Sequence, residues 1–249
     1  MKNKIKNNAR LTVALFLLFA LLFTLFCVFF ASLPSLTSRS AQAGAGGGMP
    51  TVVIDAGHGG EDGGAVSKSG VCEKDINLKI ALMLGDVFNA AGYSVVQTRT
   101  EDKLLYDRNA DFKGRKKILD MAARLDTAND CGAQLFISIH MNSFPQSKYR
   151  GLQVYYSPNH KASETVAQSI QALVSSSLQP ENTREVKPSG GRIYLLDKLE
   201  YPAVLVECGF LSNPDEAAML CDDAYLQRLA LVIFAAASKN MDGYSTAIG

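Results

Sequence analysis

Three side chains that can bind a metal ion or carry a proton follow separate apolar stretches of this sequence. His58, His140 and Glu207 each come at or shortly after the end of a short run of Val, Ile, Leu or Phe. Such runs are typical of buried strands. In an open α/β sheet, ligands bind at the carboxyl ends of the strands. We therefore expect the three side chains to converge on one crevice.

Two histidines and a carboxylate would suit a catalytic zinc ion. Two neutral imidazoles and a carboxylate leave the fourth tetrahedral position of Zn²⁺ open for water. The metal would lower the pKa of that water to about 7 and polarise a substrate carbonyl. A second carboxylate is then needed to take the proton of the water. Glu207 is the candidate, because a carboxylate that closes a buried strand is costly unless it is paired or functional.

The residue pattern alone does not identify the third metal ligand. Glu73 begins a helical segment after a glycine-rich loop and is well placed to complete the set. An acid in the first turn of a helix is also favoured by the helix dipole alone. The remaining histidine, His160, lies in a polar turn before another helix, where we expect it to be solvated.

Charge and glycine patterns exclude two other classes of protein. Lys and Arg number 25, Asp and Glu number 24, and the net charge is +1. This balance does not support a nucleic-acid-binding protein, which usually has a marked basic excess. The glycines at 57, 59, 60, 63 and 64 do not form a phosphate-binding loop. Instead, they would let the backbone turn tightly and bring His58 close to a metal.

Strand-like and helix-like segments alternate along the chain. This alternation predicts an α/β fold, a single domain with a mostly parallel twisted sheet that is covered by helices on both faces. The predicted strands are 51–55, 93–98, 135–139, 152–156 and 203–206. The predicted helices are 73–91, 115–130, 161–178 and one from Tyr225 onward, with a C-terminal cap at Gly92 and a capped turn at Asn213 and Pro214.

The first part of the chain indicates export to the outer side of a membrane. Residues 11–33 carry no charge, and as a helix they would span roughly 34 Å, enough for a bilayer core of about 30 Å. The basic residues before them would stay cytoplasmic. We therefore predict that residues 1–33 are a cytoplasmic basic segment and membrane anchor, and that 34–49 are a flexible linker. The alternative is a signal peptide that is cleaved near Ala43.

Four of the five cysteines lie beyond the apolar segment, namely Cys72, Cys131, Cys208 and Cys221. Export would permit disulfides, and four cysteines allow three pairings between which the sequence does not choose. None shows the spacing of a thiolate zinc site. The simpler interpretation is that they are small buried hydrophobic residues.

Several segments resemble the zinc-dependent N-acetylmuramoyl-L-alanine amidases, which have α/β catalytic domains and hydrolyse bacterial cell walls. The matching stretches occur in the family's order and cover most of the chain after residue 50. They are VVIDAGHGGEDGGA (52–65), EKDINL (73–78), Thr98-Arg99, FISIHMNS (136–143) and VECGFLSNPDEAAML (206–220).

This resemblance implies a site and a reaction. Residues 50–244 would be a zinc amidase catalytic domain with one Zn²⁺ held by His58, Glu73 and His140, and Glu207 would be the catalytic carboxylate. The implied substrate is peptidoglycan, in which a zinc-activated water hydrolyses the amide between N-acetylmuramic acid and L-alanine. One departure is Cys208, where the family tends to have a small or apolar residue; being next to Glu207 in a strand, it should face the other side of the sheet.

The apolar segment and residues 182–188 together resemble the amidases of spore-forming bacteria that act on spore cortex. In that group, amidase action prepares muramic-δ-lactam, which germination requires. The segment between His140 and Glu207 is too short for the autoinhibitory helix of some division amidases. Regulation would then come from an activating protein partner, or from where and when the enzyme is present.

Two alternatives remain at this level. A zinc peptidase with the same site would cut within the stem peptide. A non-catalytic peptidoglycan-binding protein could keep the fold, but it would be expected to lack one of the ligands or Glu207, and all four residues are present.

Overall fold

The computed structural model describes residues 50–106 and 114–241. The predicted anchor at 11–33, the linker at 34–49 and the end of the predicted 50–244 domain lie outside these residues. Within the two described ranges, no helix has the length and apolar character needed to cross a bilayer.

The described residues contain six strands and six helices. The strands are β1 (Thr51–Ala56), β2 (Ser94–Gln97), β3 (Leu135–Asn142), β4 (Gln153–Tyr156), β5 (Lys187–Pro188) and β6 (Ala203–Phe210). The helices are α1 (Glu73–Ala90), α2 (Lys116–Asn129), α3 (Lys161–Ser177), α4 (Tyr194–Lys198), α5 (Pro214–Met219) and α6 (Asp223–Ser238). Every predicted strand and helix is present, with ends shifted by at most four residues.

The strands form one sheet in the order β2-β1-β3-β6-β4-β5. Strands β2, β1, β3 and β6 are parallel to one another, as the alternation of strands and helices predicts. Strand β4 instead runs antiparallel to β6, and β5 is parallel to β4. A parallel strand needs a crossover of roughly a dozen residues or more, usually a helix, and residues 143–152 supply no helix. The sheet is therefore mixed.

Helices cover both faces of the sheet, as predicted. Side chains of α1, α3 and α6 pack with Val52, Ile54 and Val206 on one face. Side chains of α2 and α4 pack with Val53 and Leu205 on the other. Because successive strand residues point to opposite faces, each central strand contributes to both cores, which explains why these strands appear in the sequence as continuous apolar runs.

Two helix caps lie where the sequence predicts them. Gly92 has φ of 93° after α1, and the N–H of Tyr93 donates to the carbonyl of Phe88. The side chain of Asn213 accepts from the N–H groups of Asp215 and Glu216 at the start of α5. His160 is not merely solvated, because its Nδ1 accepts from the N–H of Ala162 and caps α3.

Two strands extend further than their apolar runs. His140 lies within β3 and Glu207 lies within β6, paired with each other in register. The backbone ladder does not depend on side-chain polarity, so it continues past the last apolar residue. The ladder becomes irregular between His140 and Asn142. Both side chains are therefore held by strands rather than by loops.

Candidate metal centre and active site

Two imidazoles meet one carboxylate at the carboxyl edge of the sheet. Nε2 of His58 lies 3.2 Å from Oε1 of Glu73, and Nδ1 of His140 lies 2.9 Å from the same oxygen. The candidate ligand atoms of the three residues all lie within 4.8 Å of one another. The ligand set implied by the resemblance is thus brought together by three separate elements, the loop after β1, the first residue of α1, and β3.

These distances suit a zinc ion. Ligand atoms at 2.0–2.2 Å from a tetrahedral Zn²⁺ lie roughly 3.4 Å from one another, which is comparable with the spacing of the three residues. Glu73 is also buried with its oxygens oriented: Oε1 accepts from the N–H of Met141 at 3.0 Å, and Oε2 from the N–H of Ala65 at 2.8 Å. Ligating carboxylates and histidines are commonly held in this way by outer partners. The residues present therefore fit the metal.

Further outer contacts orient His58 and Glu73. Nδ1 of His58 lies 2.9 Å from Asp62 Oδ2, the carboxylate–histidine arrangement often seen behind metal ligands. Asn77 donates to the carbonyl of Gly57 at 3.1 Å and to Glu73 Oε1 at 3.3 Å. Neither Asp62 nor Asn77 was predicted from the sequence. Asp62 follows His58 by four residues in a loop, where no periodic pattern applies.

The backbone of the glycine-rich loop approaches the ligands too closely for a side chain. A Cβ on Gly57 would lie 2.3 Å from the ring of His140, and one on Gly64 would lie 2.5 Å from Glu73 Oε2. His58 itself has φ of 60°, which is unusual for a residue with a side chain and often marks a functional site. The predicted role of these glycines, a tight turn next to the metal, agrees with this geometry.

Glu207 lies beside the three-residue group. It pairs in register with His140 across neighbouring parallel strands, and its Oε2 is buried with no hydrogen-bond partner among the described residues. Burial, with a further contribution from the charge of Glu73, raises the pKa of Glu207 to about 7 although the nearby histidines oppose the shift. A carboxylate with a raised pKa near the working pH is suited to proton transfer.

Hydrogen bonds explain the charge state of the three-residue group in the absence of a metal. Burial alone would raise the pKa of Glu73, but the hydrogen bonds and charges of His140 and His58 hold it well below its usual range. Burial alone would lower the pKa of His58, but Glu73 and Asp62 raise it overall. Without metal, Glu73 therefore stays ionised to lower pH than a free carboxyl group, and His58 keeps its proton to higher pH than a free imidazole.

Two buried arginines hold the chain that carries His58. Arg124 donates to the carbonyls of Ala56 at 2.8 Å and His58 at 2.6 Å. Arg99 donates to the carbonyls of Ala56 and Gly57, both at 2.9 Å. Each arginine is 2% exposed. The two guanidinium groups thus donate hydrogen bonds to the carbonyls of three consecutive residues, 56–58. These bonds hold the strained backbone at His58 in place.

The charge of Arg124 is balanced inside the protein. It forms ion pairs of 2.6 Å with Asp55 and 2.7 Å with Asp120. Although burial would raise it, the pKa of Asp55 is lowered overall by Arg124 and by hydrogen bonds from Ser138 and Thr98. This network was not predicted from the sequence, although Asp55 gives a signal for it, because an acid near the end of a buried strand requires a partner.

A pocket of about 300 Å³ adjoins the candidate metal ligands on the face covered by α2 and α4. His58 and His140 form part of its wall, and the apolar part of the wall includes Phe136, Leu195 and Leu205. The pocket therefore offers space beside the two imidazoles whose walls are largely apolar.

The four cysteines beyond the apolar segment are free thiols. Cys208 is fully buried, on the face opposite to Glu207, as the strand alternation predicts. Cys72 and Cys131 are partly buried, and Cys221 is exposed. The interpretation as buried hydrophobic residues is therefore correct for Cys208 and wrong for Cys221, which lies at the end of a short helix rather than in a core.

We expect Gly57→Ala to lower activity by about 100-fold, because a new methyl group must displace the His140 ring and a shift of about 1 Å can cost that much. Zinc affinity, measured by competition with a chromogenic chelator, should fall in parallel. Gly63→Ala is the matched control in the same loop, since its Cβ would meet only Cys72 Sγ at an ordinary 3.7 Å. Equal effects of the two substitutions would contradict the close-approach argument.

Without metal, the protein should be more stable near pH 5.5 than near pH 8.5. The raised pKa values of His58 and Glu207 both contribute stability that is present at low pH and lost as the pH rises through them. The zinc-loaded protein should show the opposite trend, because binding requires neutral imidazoles. Thermal unfolding with chelator and with zinc tests this, and Asp62→Asn should weaken the trend of the metal-free protein. A flat profile with chelator would be inconsistent with these pKa shifts.

Comparison with protein families assigns the described domain. The model of the family described as N-acetylmuramoyl-L-alanine amidase matches residues 52–239. The germination-specific N-acetylmuramoyl-L-alanine amidase of Bacillus subtilis is 37% identical over 183 residues, which cover 74% of this chain and 76% of the relative. All segments that carry the resemblance in the sequence lie within the matched range.

Solved structures agree with this assignment. The CwlD amidase from Clostridioides difficile, in complex with the GerS lipoprotein, superposes with a TM-score of 0.75 at 38% identity and covers 78% of this chain and 99% of that one. The catalytic domain of the amidase CwlV from Bacillus (Paenibacillus) polymyxa gives a TM-score of 0.65 at 31% identity, over 78% of this chain and 99% of that one. The chain therefore belongs to the N-acetylmuramoyl-L-alanine amidase family.

Proposed function

We propose that this chain hydrolyses the amide between N-acetylmuramic acid and L-alanine in peptidoglycan, with one zinc ion held by His58, Glu73 and His140. The observation that carries the proposal is the position of Glu207. This buried carboxylate pairs in register with His140 beside a group of three residues that could hold a metal. A site that only bound metal would not require such a carboxylate, because burying it without a partner is costly.

The chemistry follows from the positions of these side chains. Zinc bound there would supply a Lewis acid that polarises the substrate carbonyl and lowers the pKa of a water. Glu207 would take the proton of the attacking water and pass it to the nitrogen of the leaving L-alanine, which departs as an amine. The buried N–H of Met141 and the carboxylate of Asp62 keep Glu73 and His58 oriented.

Product analysis tests the proposal. The purified full chain, loaded with zinc in detergent, should release from peptidoglycan intact stem peptides that begin with L-alanine, as identified by mass spectrometry. A chelator should abolish the release and added zinc should restore it. Peptides cut internally would instead support a zinc peptidase. Binding to peptidoglycan with no turnover under any metal condition would support a non-catalytic binding protein.

We also propose that the substrate is spore cortex. The support is the similarity to a relative that is named as germination-specific and the segment 182–188. A strain that lacks the gene should make spores without muramic-δ-lactam, measured by chromatography of digested cortex. The intact gene should restore the lactam and a gene encoding Glu207→Gln should not. Normal lactam content in the deletion strain would contradict the cortex role.

We propose that residues 11–33 anchor the domain on the outer side of the cytoplasmic membrane. Their length and lack of charge support this, and protease added to intact protoplasts should digest the domain. The mass of the mature protein separates an anchor from cleavage near Ala43. The similar Clostridioides difficile amidase was solved with a lipoprotein, so we further propose a partner on that side of the membrane. Unchanged activity after all co-purifying proteins are removed would argue against an activating partner.

A further inference from the structure

Arg184 lies on the opposite side of Glu207 from the candidate metal ligands. His140, Glu207 and Gln153 occupy one row across β3, β6 and β4, since each is paired in register with the next. Residues paired in this way share a face of the sheet. Neighbouring strands lie about 4.8 Å apart, which puts the backbone of Gln153 about 10 Å from that of His140. The side chain of Gln153 accepts a hydrogen bond from Nη2 of Arg184.

The guanidinium of Arg184 is held in place. Its carbon lies 4.9 Å from the centre of the Phe210 ring. Gln153, which is only 2% exposed, donates its own side-chain N–H to the carbonyl of Glu185 at 2.7 Å. The backbone N–H of Arg184 donates to Asn182 Oδ1 at 3.0 Å. An arginine oriented by such contacts loses little further entropy when it binds a ligand.

This oriented cation lacks an acidic partner. Arg184 forms no ion pair with a carboxylate of residues 50–106 or 114–241, and its buried Nε has no hydrogen-bond partner among them. Glu207 therefore does not form an ion pair with Arg184, although Arg184 is close enough to oppose the rise in the pKa of Glu207. The charge of Arg184 is therefore not balanced within these residues, and an anion from outside the chain would pair with Nη1, the guanidinium nitrogen that is neither buried nor bonded to Gln153.

In the proposed substrate, free carboxylates lie on the peptide side of the scissile amide and not on the side of the muramic acid. This step rests on the proposed function. The lactyl carboxyl of the muramic acid is consumed in the scissile amide, whereas the residue after L-alanine is D-glutamate or its amide. An extended chain advances about 3.5 Å per residue, so the free carboxylate of that glutamate lies roughly 7 Å beyond the scissile bond. That reach falls within the separation of about 10 Å between the backbones of His140 and Gln153, the residue to which Arg184 donates.

We propose that Arg184 binds the free carboxylate of the second stem-peptide residue and so places the peptide over β6 and β4. Arginine suits this ligand because its planar fork can donate two parallel hydrogen bonds to a carboxylate. Arg184 is then a specificity-determining residue, and the glycan strand lies on the opposite side of the metal, toward β1. Hydrolysis of substrates with a carboxylate at this position is favoured over hydrolysis of those with the amide.

Two muramoyl tripeptides that differ only in D-glutamate or D-isoglutamine at the second position test this proposal. With the zinc-loaded full chain, kcat/KM for the carboxylate should exceed that for the amide by about 10–100-fold, the effect of a hydrogen bond to a charged group. In Arg184→Gln the two values should agree within about twofold, with the loss mainly in KM. Arg184→Lys should keep part of the preference, because it keeps the charge but not the fork.

The exposed Arg150 provides the matched control, because Arg150→Gln removes the same charge close to β4. It should keep the preference of the unmodified protein. The ratio of the two substrates within one variant does not depend on how much of that variant is folded. A preference retained in Arg184→Gln, or absent from the unmodified protein while it cleaves both tripeptides, overturns the role of Arg184 and leaves the proposed function intact. Failure to cleave any muramoyl–alanine amide overturns both.

Discussion

Replacing Glu207 by glutamine should lower kcat by a factor of about 10² to 10⁴, the usual contribution of a general acid–base residue. The amide keeps the shape of the side chain but can no longer accept the proton of the attacking water. It should also remove the cost of burying a charge, so the variant is expected to be at least as stable as the original above pH 7. Release of stem peptides from peptidoglycan gives the rate, and thermal unfolding gives the stability.

The control separates catalysis from metal loss. Zinc content should stay at one ion per chain in Glu207→Gln, since Glu207 is not among the three residues that could hold the metal. Glu200→Gln makes the same chemical change at an exposed position and should leave the rate unchanged. If Glu207→Gln retains more than about a tenth of the original kcat, its role as the catalytic carboxylate is wrong. If it retains the fold but loses zinc, Glu207 belongs to the metal site instead.

Replacing Glu73 by glutamine should weaken zinc binding by more than about 100-fold, since the loss of even an outer-sphere partner costs 10–100-fold. The substitution removes the only negative charge of the three-residue group, and because an amide has a single acceptor oxygen, one of the two backbone N–H groups that donate to Glu73 loses its acceptor. Activity should fall with the bound metal. Chelator competition measures the affinity, and elemental analysis of the purified protein gives its zinc content.

A second acid in the same helical turn distinguishes the two interpretations of Glu73. Asp75 is exposed in the first turn of α1, and Asp75→Asn removes an equal favourable interaction with the helix dipole, worth about 0.3–1 kcal/mol. It should leave zinc binding unchanged. If Glu73→Gln and Asp75→Asn have the same small effect on stability and neither changes the zinc content, Glu73 is only a helix-terminal acid and the ligand assignment fails.

Most of the fold was predictable because its strands and helices have strong local signals. Strands β1, β3 and β6 are buried on both faces, so they stand out as apolar runs. Helices α1, α2, α3 and α6 show helical periodicity. Strand β5 and helices α4 and α5 were not predicted, because elements of two to six residues are too short to show a period. The direction of β4 depends on its connection rather than on its own residues.

Some residues of the candidate site were likewise predictable from local sequence signals, and one was not. His58, His140 and Glu207 were predictable as neighbours, since the ends of parallel strands meet at one edge whatever lies between them in the chain. Glu73 was not, because an acid at a helix start has a local explanation, and only the family resemblance indicated a ligand. Its hydrogen bonds to Met141 and Ala65, and its approach to both imidazoles, arise from contacts between separate elements.

The sequence by itself therefore determined which residue types carry the chemistry, the α/β class and the family resemblance, since these depend on residue identity, spacing and period. Only the tertiary structure decided how the carboxylate of Glu73 meets two imidazoles, why Gly57 can carry no side chain, and which carbonyls Arg99 and Arg124 satisfy. The tertiary structure also decided the position of Arg184, which donates a hydrogen bond to Gln153 on the antiparallel strand β4. Gln153 in turn lies in register with Glu207 and His140. Those relations are set by packing between residues far apart in the chain, and no local pattern encodes them.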